Sequence, residues 1–251
     1  MQQRPSNLER FLERLLSRSV LSDREQSHIL ELPFRVKQAR PNEDFVSLGQ
    51  RVQHACFVVE GLVGRFDQNS RGERQITALH IAGDMPDLHS VVQPTATSAL
   101  QALSTSTILE VPHSALRKAS GDHPAIAEAF WRDCMVDSMI LAQWVVNIGR
   151  RDAKSRVAHL LCEMTRRYRI VPIAGRLAFN LPMTQAQLAD AAGLTPVHIN
   201  RTLKALAGIG TRFSQRKVWI DDWAALVRMG DFDPAYLQDD LKPEERIRIV
   251  Q

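Results

Sequence analysis

Leu8, Phe11, Leu12, Leu15 and Leu16 recur at helical steps with Arg and Glu between them, and predict that residues 5–31 are helical. Inside that stretch Ser22 followed by Glu25 has the form of a capping box, so a second short helix starts there, and Pro33 ends it. From residue 35 to 111 the period shortens. Phe45–Leu48, Ala55–Val59, Leu62–Phe66, Gln75–Leu79, Thr97–Leu103 and Thr107–Val111 read as strands. Turn signals part them at Pro41-Asn42, Glu60-Gly61, Asn69 to Gly72, Gly83-Asp84 and Gln93-Pro94. Short strands in that number predict a β sandwich or barrel.

The helical period returns over residues 124–149. Ala127, Trp131, Cys134, Ser138, Leu141, Val145 and Ile148 follow alternating steps of four and three, and Met135, Met139, Ala142 and Val146 form a second stripe beside them. Two apolar stripes on one long helix predict burial on two sides. One would face the chain's own β domain and the other a second subunit, as in a coiled coil. The plain alternative is a helix buried within one chain. Gly149-Arg150-Arg151-Asp152 breaks the pattern and sets the expected domain boundary. Another helix follows over 152–170, with Val157, Leu160, Leu161 and Met164 inward and Arg166, Arg167 and Arg169 suiting the negative end of its dipole.

Residues 184–206, TQAQLADAAGLTPVHINRTLKAL, carry the most specific pattern in the chain. Thr184 with Gln187 forms a capping box, Leu188, Ala189 and Ala192 make an inner face, and Gly193 suits the left-handed turn that ends a helix. Thr195 is a good N-cap, Pro196 sits at N1 where its missing N–H costs nothing, and a second helix runs through Ile199, Leu203 and Leu206. Two short helices joined by a tight glycine turn are a helix-turn-helix. The second would enter the DNA major groove with Pro196, Val197, His198, Asn200 and Arg201 toward base edges. Arg201 can bond a guanine bidentately and Val197 can pack on a thymine methyl. Thr184, Gln185, Thr195 and Lys204 are placed for phosphates. The strand-like residues Phe213, Val218 and Ile220 flank a polar tip, Ser214 to Lys217, and predict a β-hairpin wing whose Arg212, Ser214, Arg216 and Lys217 reach the flanking backbone. Asp222-Trp223 opens a closing helix, and the acidic residues after it read as a solvated tail.

Composition changes the picture only when it is divided. The chain of 251 residues is 24% charged and 44% hydrophobic, an ordinary globular balance with net charge +4. Residues 1–149 carry net −2, residues 150–220 net +10, and residues 221–251 net −4. One basic segment on a slightly acidic body fits a polyanion-binding module. No apolar run reaches the length of a membrane span, and the first residues do not read as an export signal. Cys56, Cys134 and Cys162 are odd in number and lack CxxC spacing, which fits a reducing cytoplasm and neither disulfides nor zinc. No nucleophile elbow, P-loop or HExxH motif marks an enzyme.

A β domain, a long helix and a C-terminal winged helix-turn-helix, with LADAAGLTPVHINRTL at its centre and the Val58-Val59-Glu60-Gly61 strand-turn in support, resemble the Crp/Fnr family of bacterial transcription regulators over residues 10–230. The resemblance implies an α+β chain in four parts. Residues 1–122 form a cyclic-nucleotide-binding-like jelly roll, 123–150 the dimerisation helix, 151–232 the winged helix-turn-helix, and 233–251 the acidic tail. It further implies a homodimer on double-stranded DNA, each recognition helix reading half of an inverted repeat, with RNA polymerase a candidate partner to which no surface is assigned. Cyclic-AMP-responsive members carry Arg and Glu where Pro196 and Val197 stand here, which implies a different operator.

The ligand pocket departs further from that pattern. Cyclic-nucleotide binders carry a Gly-Glu pair and then an Arg-Ser/Thr-Ala run; here Gly83-Asp84 and Ala96-Thr97-Ser98 stand in those places. No Lys or Arg occurs from Gln75 to Leu116, so a buried phosphate would lack a cation. Gly83, Asp84, Met85, Thr97 and Ser98 remain a candidate pocket for another effector, or for none. Iron–sulfur sensing needs four clustered cysteines. His54, Cys56, His80, Met85 and His89 are candidate haem ligands, and His80, Asp84, Asp87 and His89 a candidate metal group, but surface or hydrogen-bonded roles explain them better. No cofactor is expected. The alternative function is a cyclic-nucleotide receptor that signals to a protein partner.

Overall fold

The computed structural model describes residues 8–173 and 175–239. It begins with two short helices, α1 (Glu9–Leu16) and α2 (Asp23–Leu30). The Ser22 capping box forms as the sequence predicts: Glu25 Oε2 accepts the Ser22 N–H at 2.7 Å, and Ser22 Oγ accepts the Glu25 N–H at 3.4 Å.

Seven strands follow: β1 (Arg35–Ala39), β2 (Asp44–Val46), β3 (His54–Glu60), β4 (Val63–Gln68), β5 (Arg74–His80), β6 (Ala99–Ala102) and β7 (Ser106–Pro112). They form two sheets, ordered β1-β7-β3 and β2-β6-β4-β5, with β7 antiparallel to both of its neighbours. The apolar run in β3 has a simple cause, because both of its faces are buried. Cys56 and Val58 point to a core shared with Phe45, Val63 and Leu100. Ala55 and Phe57 point the other way, to a core with Phe11, Leu15, Leu116 and Phe130. The Phe11 ring centroid lies 5.7 Å from that of Phe57 and 5.9 Å from that of Phe130. The middle strand, β7, is sorted in the same way: Ile108 joins the first core, Leu109 and Val111 the second. β1 is not foreshadowed by the sequence pattern. It pairs only with β7, and its residues Arg-Val-Lys-Gln-Ala are mostly exposed, so it carries little apolar signal.

After α3 (His113–Asp122) comes α4 (Pro124–Arg150), a helix of 27 residues. Here the sequence expectation is corrected. Although Cys134 of the first apolar stripe packs at its edge, the face of α4 that is buried in the chain's own core is neither of the two apolar stripes. It is Ile126, Ala129, Phe130 and Val136, with the fully packed Asp133 among them, continued by Ile140, Trp144 and Asn147. The polar members hid this stripe from a hydrophobicity pattern, because their burial depends on partners distant in sequence.

By internal contacts the described residues fall into two compact units. One takes in 8–65, 80–139 and 237–239, and the other 66–79 and 140–236. In the second unit α5 (Ala153–Arg167) starts at the N-cap Asp152, whose Oδ1 accepts the Ser155 N–H at 2.9 Å. Val157, Leu160, Leu161 and Met164 are buried as predicted. Next come β8 (Leu177–Asn180), α6 (Gln185–Ala192), α7 (Pro196–Ala207), β9 (Thr211–Ser214), β10 (Lys217–Ile220) and α8 (Trp223–Gly230). α8 lies close on α5, since a Cβ on Gly230 would come within 2.7 Å of the His159 amide nitrogen. Part of the expected acidic tail, residues 240–251, lies outside the described residues.

Candidate nucleic-acid interface

Local sequence explains how the two helices of the turn are placed. Thr184 Oγ1 accepts the Gln187 N–H at 3.1 Å, and Gln187 Oε1 accepts the Thr184 N–H at 2.8 Å. Gly193 ends α6 at φ 61° and ψ 43°, the left-handed region where a side chain is disfavoured. Two residues on, Thr195 Oγ1 accepts the His198 N–H at 3.3 Å and Pro196 occupies the first position of α7. Leu188, Ala189 and Ala192 of α6 and Ile199, Leu203 and Leu206 of α7 are all buried. The burial of the inner face leaves the opposite face of α7 to solvent.

That exposed face carries the predicted base-reading set. Pro196, Val197, His198, Asn200 and Arg201 are all exposed, as are Thr195 and Lys204. Val197 is 64% exposed. Asn200 Nδ2 donates to the Pro196 carbonyl at 2.9 Å, so that side chain lies back along its own helix. Thr184 and Gln185 are exposed at the start of α6.

The wing is a three-stranded antiparallel sheet in the order β8-β10-β9, one strand more than the sequence predicts. Val218 pairs with Phe179 on one side and Phe213 on the other, which builds its small core. Gln215 and Arg216 take φ 48° and 59° at the tip; two successive positive φ values are the geometry of the tight turns that match strand twist. Arg216 and Ser214 are exposed. Lys217 Nζ lies 5.5 Å from the Trp219 ring centroid, and Arg212 reaches Asp221 at 3.3 Å.

One residue at this surface escaped the sequence pattern. Val197, His198, Arg201 and Thr202 line a groove of about 600 Å³ whose other side is Asp152, Ala153 and Lys154 at the start of α5. Lys154 stands some forty residues before α7, and only the packing of α5 beside α7 brings it there. Asp152, in the same groove, is held below the usual carboxylate range by hydrogen bonds from the Ser155 and Lys154 backbone.

The candidate effector residues differ in their surroundings. Gly83 takes φ 103°, and Asp84 and Met85 are buried. Asp84 Oδ2 accepts the Ile81 N–H at 2.9 Å, and its Oδ1 is taken by the Arg14 guanidinium. Thr97 is exposed and Ser98 half-buried.

For the candidate metal and haem residues, the expectation of surface roles is corrected in part. His80, Asp84 and Asp87 lie in the interior rather than at the surface, because each is built into the packing of the β unit. Asp87 Oδ1 accepts the Cys56 N–H at 2.6 Å, and His54 Nε2 lies 3.6 Å from Glu110. Among the described residues no three His, Cys, Asp or Glu side chains are grouped to hold a metal ion. Cys56 and Cys162 are buried free thiols and Cys134 is half-buried.

Of the predicted seam on α4, Trp131, Ser138, Leu141 and Val145 are exposed, and Ala127, Cys134 and Ile148 are half-buried. Trp131 is 67% and Val145 65% exposed.

Comparison with known proteins agrees with these features. Residues 155–229 match the Crp-like helix-turn-helix domain, and residues 36–123 match the cyclic nucleotide-binding domain. The anaerobic regulatory protein of Pasteurella multocida is 24% identical over 210 residues, 83% of this chain and 77% of that one. The fumarate and nitrate reduction regulatory protein of Vibrio cholerae is 24% identical over 183 residues, 73% of each. Among solved structures, FixK2 of Bradyrhizobium japonicum is similar at TM-score 0.71 and 28% identity, covering 79% of this chain and 98% of that one. A CooA variant of Carboxydothermus hydrogenoformans shares the fold at TM-score 0.65 and 16% identity, covering 87% and 95%. The chain belongs to the Crp/Fnr family. It is a DNA-binding transcription regulator, and the family consists of regulators rather than enzymes.

Proposed function

We propose that the protein acts in the cytoplasm as a homodimer joined along the exposed stripe of α4, each α7 reading one half of an inverted repeat in the major groove. The observation that carries this reading is the exposed start of α7. Five side chains of mixed chemistry, Pro196 to Arg201 without the buried Ile199, stand clear of the core on a capped and rigidly packed helix. In this reading Arg201 discriminates a guanine and Val197 and His198 read neighbouring base edges. Thr184, Gln185, Thr195 and Lys204 grip phosphates, and Arg212, Ser214, Arg216 and Lys217 of the wing extend that grip. Lys154 joins them from α5. Residues 1–122 serve as the sensor-like domain, 123–150 as the dimer helix and 151–232 as the DNA-binding domain. The effector is not cyclic AMP, or there is none: no Lys or Arg lies between Gln75 and Leu116 to meet a cyclic phosphate, and Asp84 is already engaged. RNA polymerase remains a candidate partner. No helix among the described residues is long and apolar enough to cross a membrane.

The test is selection of bound fragments from sheared genomic DNA by the purified protein with no ligand added, followed by sequencing. An enriched inverted repeat is the expected outcome; recovery of random fragments alone would overturn specific reading without an effector. Binding of variants to the selected repeat then assigns the roles. Arg201→Ala should cost about 1–3 kcal/mol and relax preference at one base pair per half-site. Lys217→Ala should weaken binding equally on all sequences and flatten the salt dependence by about one unit per protomer. Identical losses for the two on specific and random DNA would sink the assignment.

A further inference from the structure

The face of α4 that packs on its own β unit carries a carboxylate where an apolar residue would be the simpler choice. Asp133 lies between Phe130 and Val136 and is 2% exposed. Arg14 Nε donates to its Oδ1 at 2.6 Å, and Arg18 Nη1 donates to the same oxygen at 2.5 Å. Arg14 comes from α1 and spans a second contact, since its Nη1 pairs with Asp84 Oδ1. Asp84 Oδ2 is held by the Ile81 N–H, so both oxygens of this buried acid are engaged. One turn further along α4, Asp137 accepts Arg65 Nη2 at 2.9 Å, and the same Arg65 nitrogen donates to the Pro86 carbonyl.

Three arginines thus meet three carboxylates in one cluster, gathered from α1, the turn after it, β4, the loop after β5 and α4, with His80 Nδ1 3.8 Å from Asp84 Oδ2. Burial alone would lower the Arg14 guanidinium pKa, but Asp133, Asp84 and Asp137 hold it above its ordinary value. Buried charges tolerate such a site only in matched, well-formed pairs. A cluster of this kind adds little stability over apolar packing. What it adds is geometry: a helix held by apolar side chains can slide or roll by a fraction of a turn, whereas one held by paired charges cannot do so without parting them. The two carboxylates of α4 in the cluster, Asp133 and Asp137, lie beside Cys134 and Ser138 of the predicted seam, so the cluster fixes the direction in which the seam faces.

We infer that Arg14 is a positioning residue for the dimer seam: by joining Asp84 to Asp133 it sets the N-terminal half of α4, and with it the seam, from within the chain. This rests on the reading of α4 as the dimer helix. Asp84 serves α1 rather than a ligand, and α1 is the internal element on which the regulator's active arrangement depends.

The experiment uses the full chain and three readouts: far-UV circular dichroism for the fold, sedimentation equilibrium for the dimer constant without DNA, and fluorescence anisotropy for the selected repeat. Arg14→Ala is expected to keep the helical spectrum while the dimer constant weakens by at least tenfold and operator affinity falls with it. Arg14→Lys, which restores a charge that can reach one of the two acids, is expected to recover part of both. Arg201→Ala, as the control, loses operator affinity with an unchanged dimer constant. Wild-type dimerisation and operator binding in Arg14→Ala would overturn the inference, and so would Arg14→Lys no better than Arg14→Ala. If Arg14→Ala loses its helical spectrum, Asp84→Asn carries the test. Its amide oxygen still accepts the Ile81 N–H while the charge facing Arg14 is gone, so a severalfold weaker dimer is expected and wild-type values would overturn the inference. The dimer constant is read without DNA, so a wild type that dimerises but selects no repeat would refute the DNA reading and leave this inference standing. A wild type that is monomeric at micromolar concentration would overturn it.

Discussion

Asp87 is a carboxylate buried against β3. Its Oδ1 accepts the Cys56 N–H at 2.6 Å in the middle of β3, and the side chain is 6% exposed. Burial pushes its pKa up to about 6 from the ordinary 3.8, against the pull of the Cys56 hydrogen bonds and the charge of Arg65. Between those two values the folded state binds more protons at this site than the unfolded state does. Stability therefore falls as pH rises through that window, and the loss is complete above it. At about 1.4 kcal/mol per pKa unit the penalty near neutral pH is about 3 kcal/mol. Asp87→Asn keeps an acceptor for the Cys56 N–H and removes the charge. It should be more stable than wild type at pH 7.5, with the advantage shrinking toward pH 4, as urea denaturation at the two pH values would show. An equal margin at both would mean that Asp87 does not titrate in this window.

Between elements the telling group is Glu163, which is fully buried in α5 and accepts three hydrogen bonds from three directions. Trp144 Nε1 of α4 donates at 3.0 Å, the Tyr236 hydroxyl at 2.9 Å, and Arg167 Nη1, one turn along, at 3.1 Å. His159 lies beside them, with its Nδ1 3.1 Å from the Gly230 carbonyl. Removing the carboxylate takes an acceptor from a guanidinium, an indole N–H and a phenol together, so Glu163→Ala should destabilise this unit by about 3–5 kcal/mol. Glu163→Gln should lose less, since its amide oxygen can still accept. Thermal melts of the two variants check the order, and equal losses would show that volume rather than acceptance matters. This constellation also marks the limit of what the sequence reveals. The caps at Ser22, Thr184 and Thr195, the Gly193 turn and the outward face of α7 are written in neighbouring residues, so they were legible. The inner face of α4 was not, because Asp133, Trp144 and Asn147 interrupt its apolar period and become tolerable only through Arg14, Glu163 and the Arg156 carbonyl, far away in the chain. β1 and β8 were missed for a related reason: each is four or five residues long and takes its identity from the strand it pairs with. The Gly83-Asp84 pair shows the opposite case. Gly83-Asp84 has the right local form, but Arg14 from α1 occupies the acid.

For the molecule as a whole, the charge division and the exposed stripe of α4 belong to one argument. The basic segment 150–220 carries net +10, and a polyanion held by many such contacts releases counterions in proportion to the phosphates engaged. A single DNA-binding unit would engage roughly half the phosphates that a dimer does. The salt dependence of binding therefore counts subunits. Val145 is 65% and Leu141 38% exposed, at positions where a coiled-coil seam would bury them against a second copy. Val145→Glu places two like charges close together across such a seam, while a solvent-facing position in a monomer would tolerate it easily. The variant should keep its helical spectrum, sediment as a monomer, and bind an isolated half-site about as well as wild type does. On the full inverted repeat its affinity should drop steeply, and the slope of log K against log salt should fall to about half. A Val145→Glu protein that still sediments as a dimer, and binds the repeat with the wild-type slope, would place the seam on another surface.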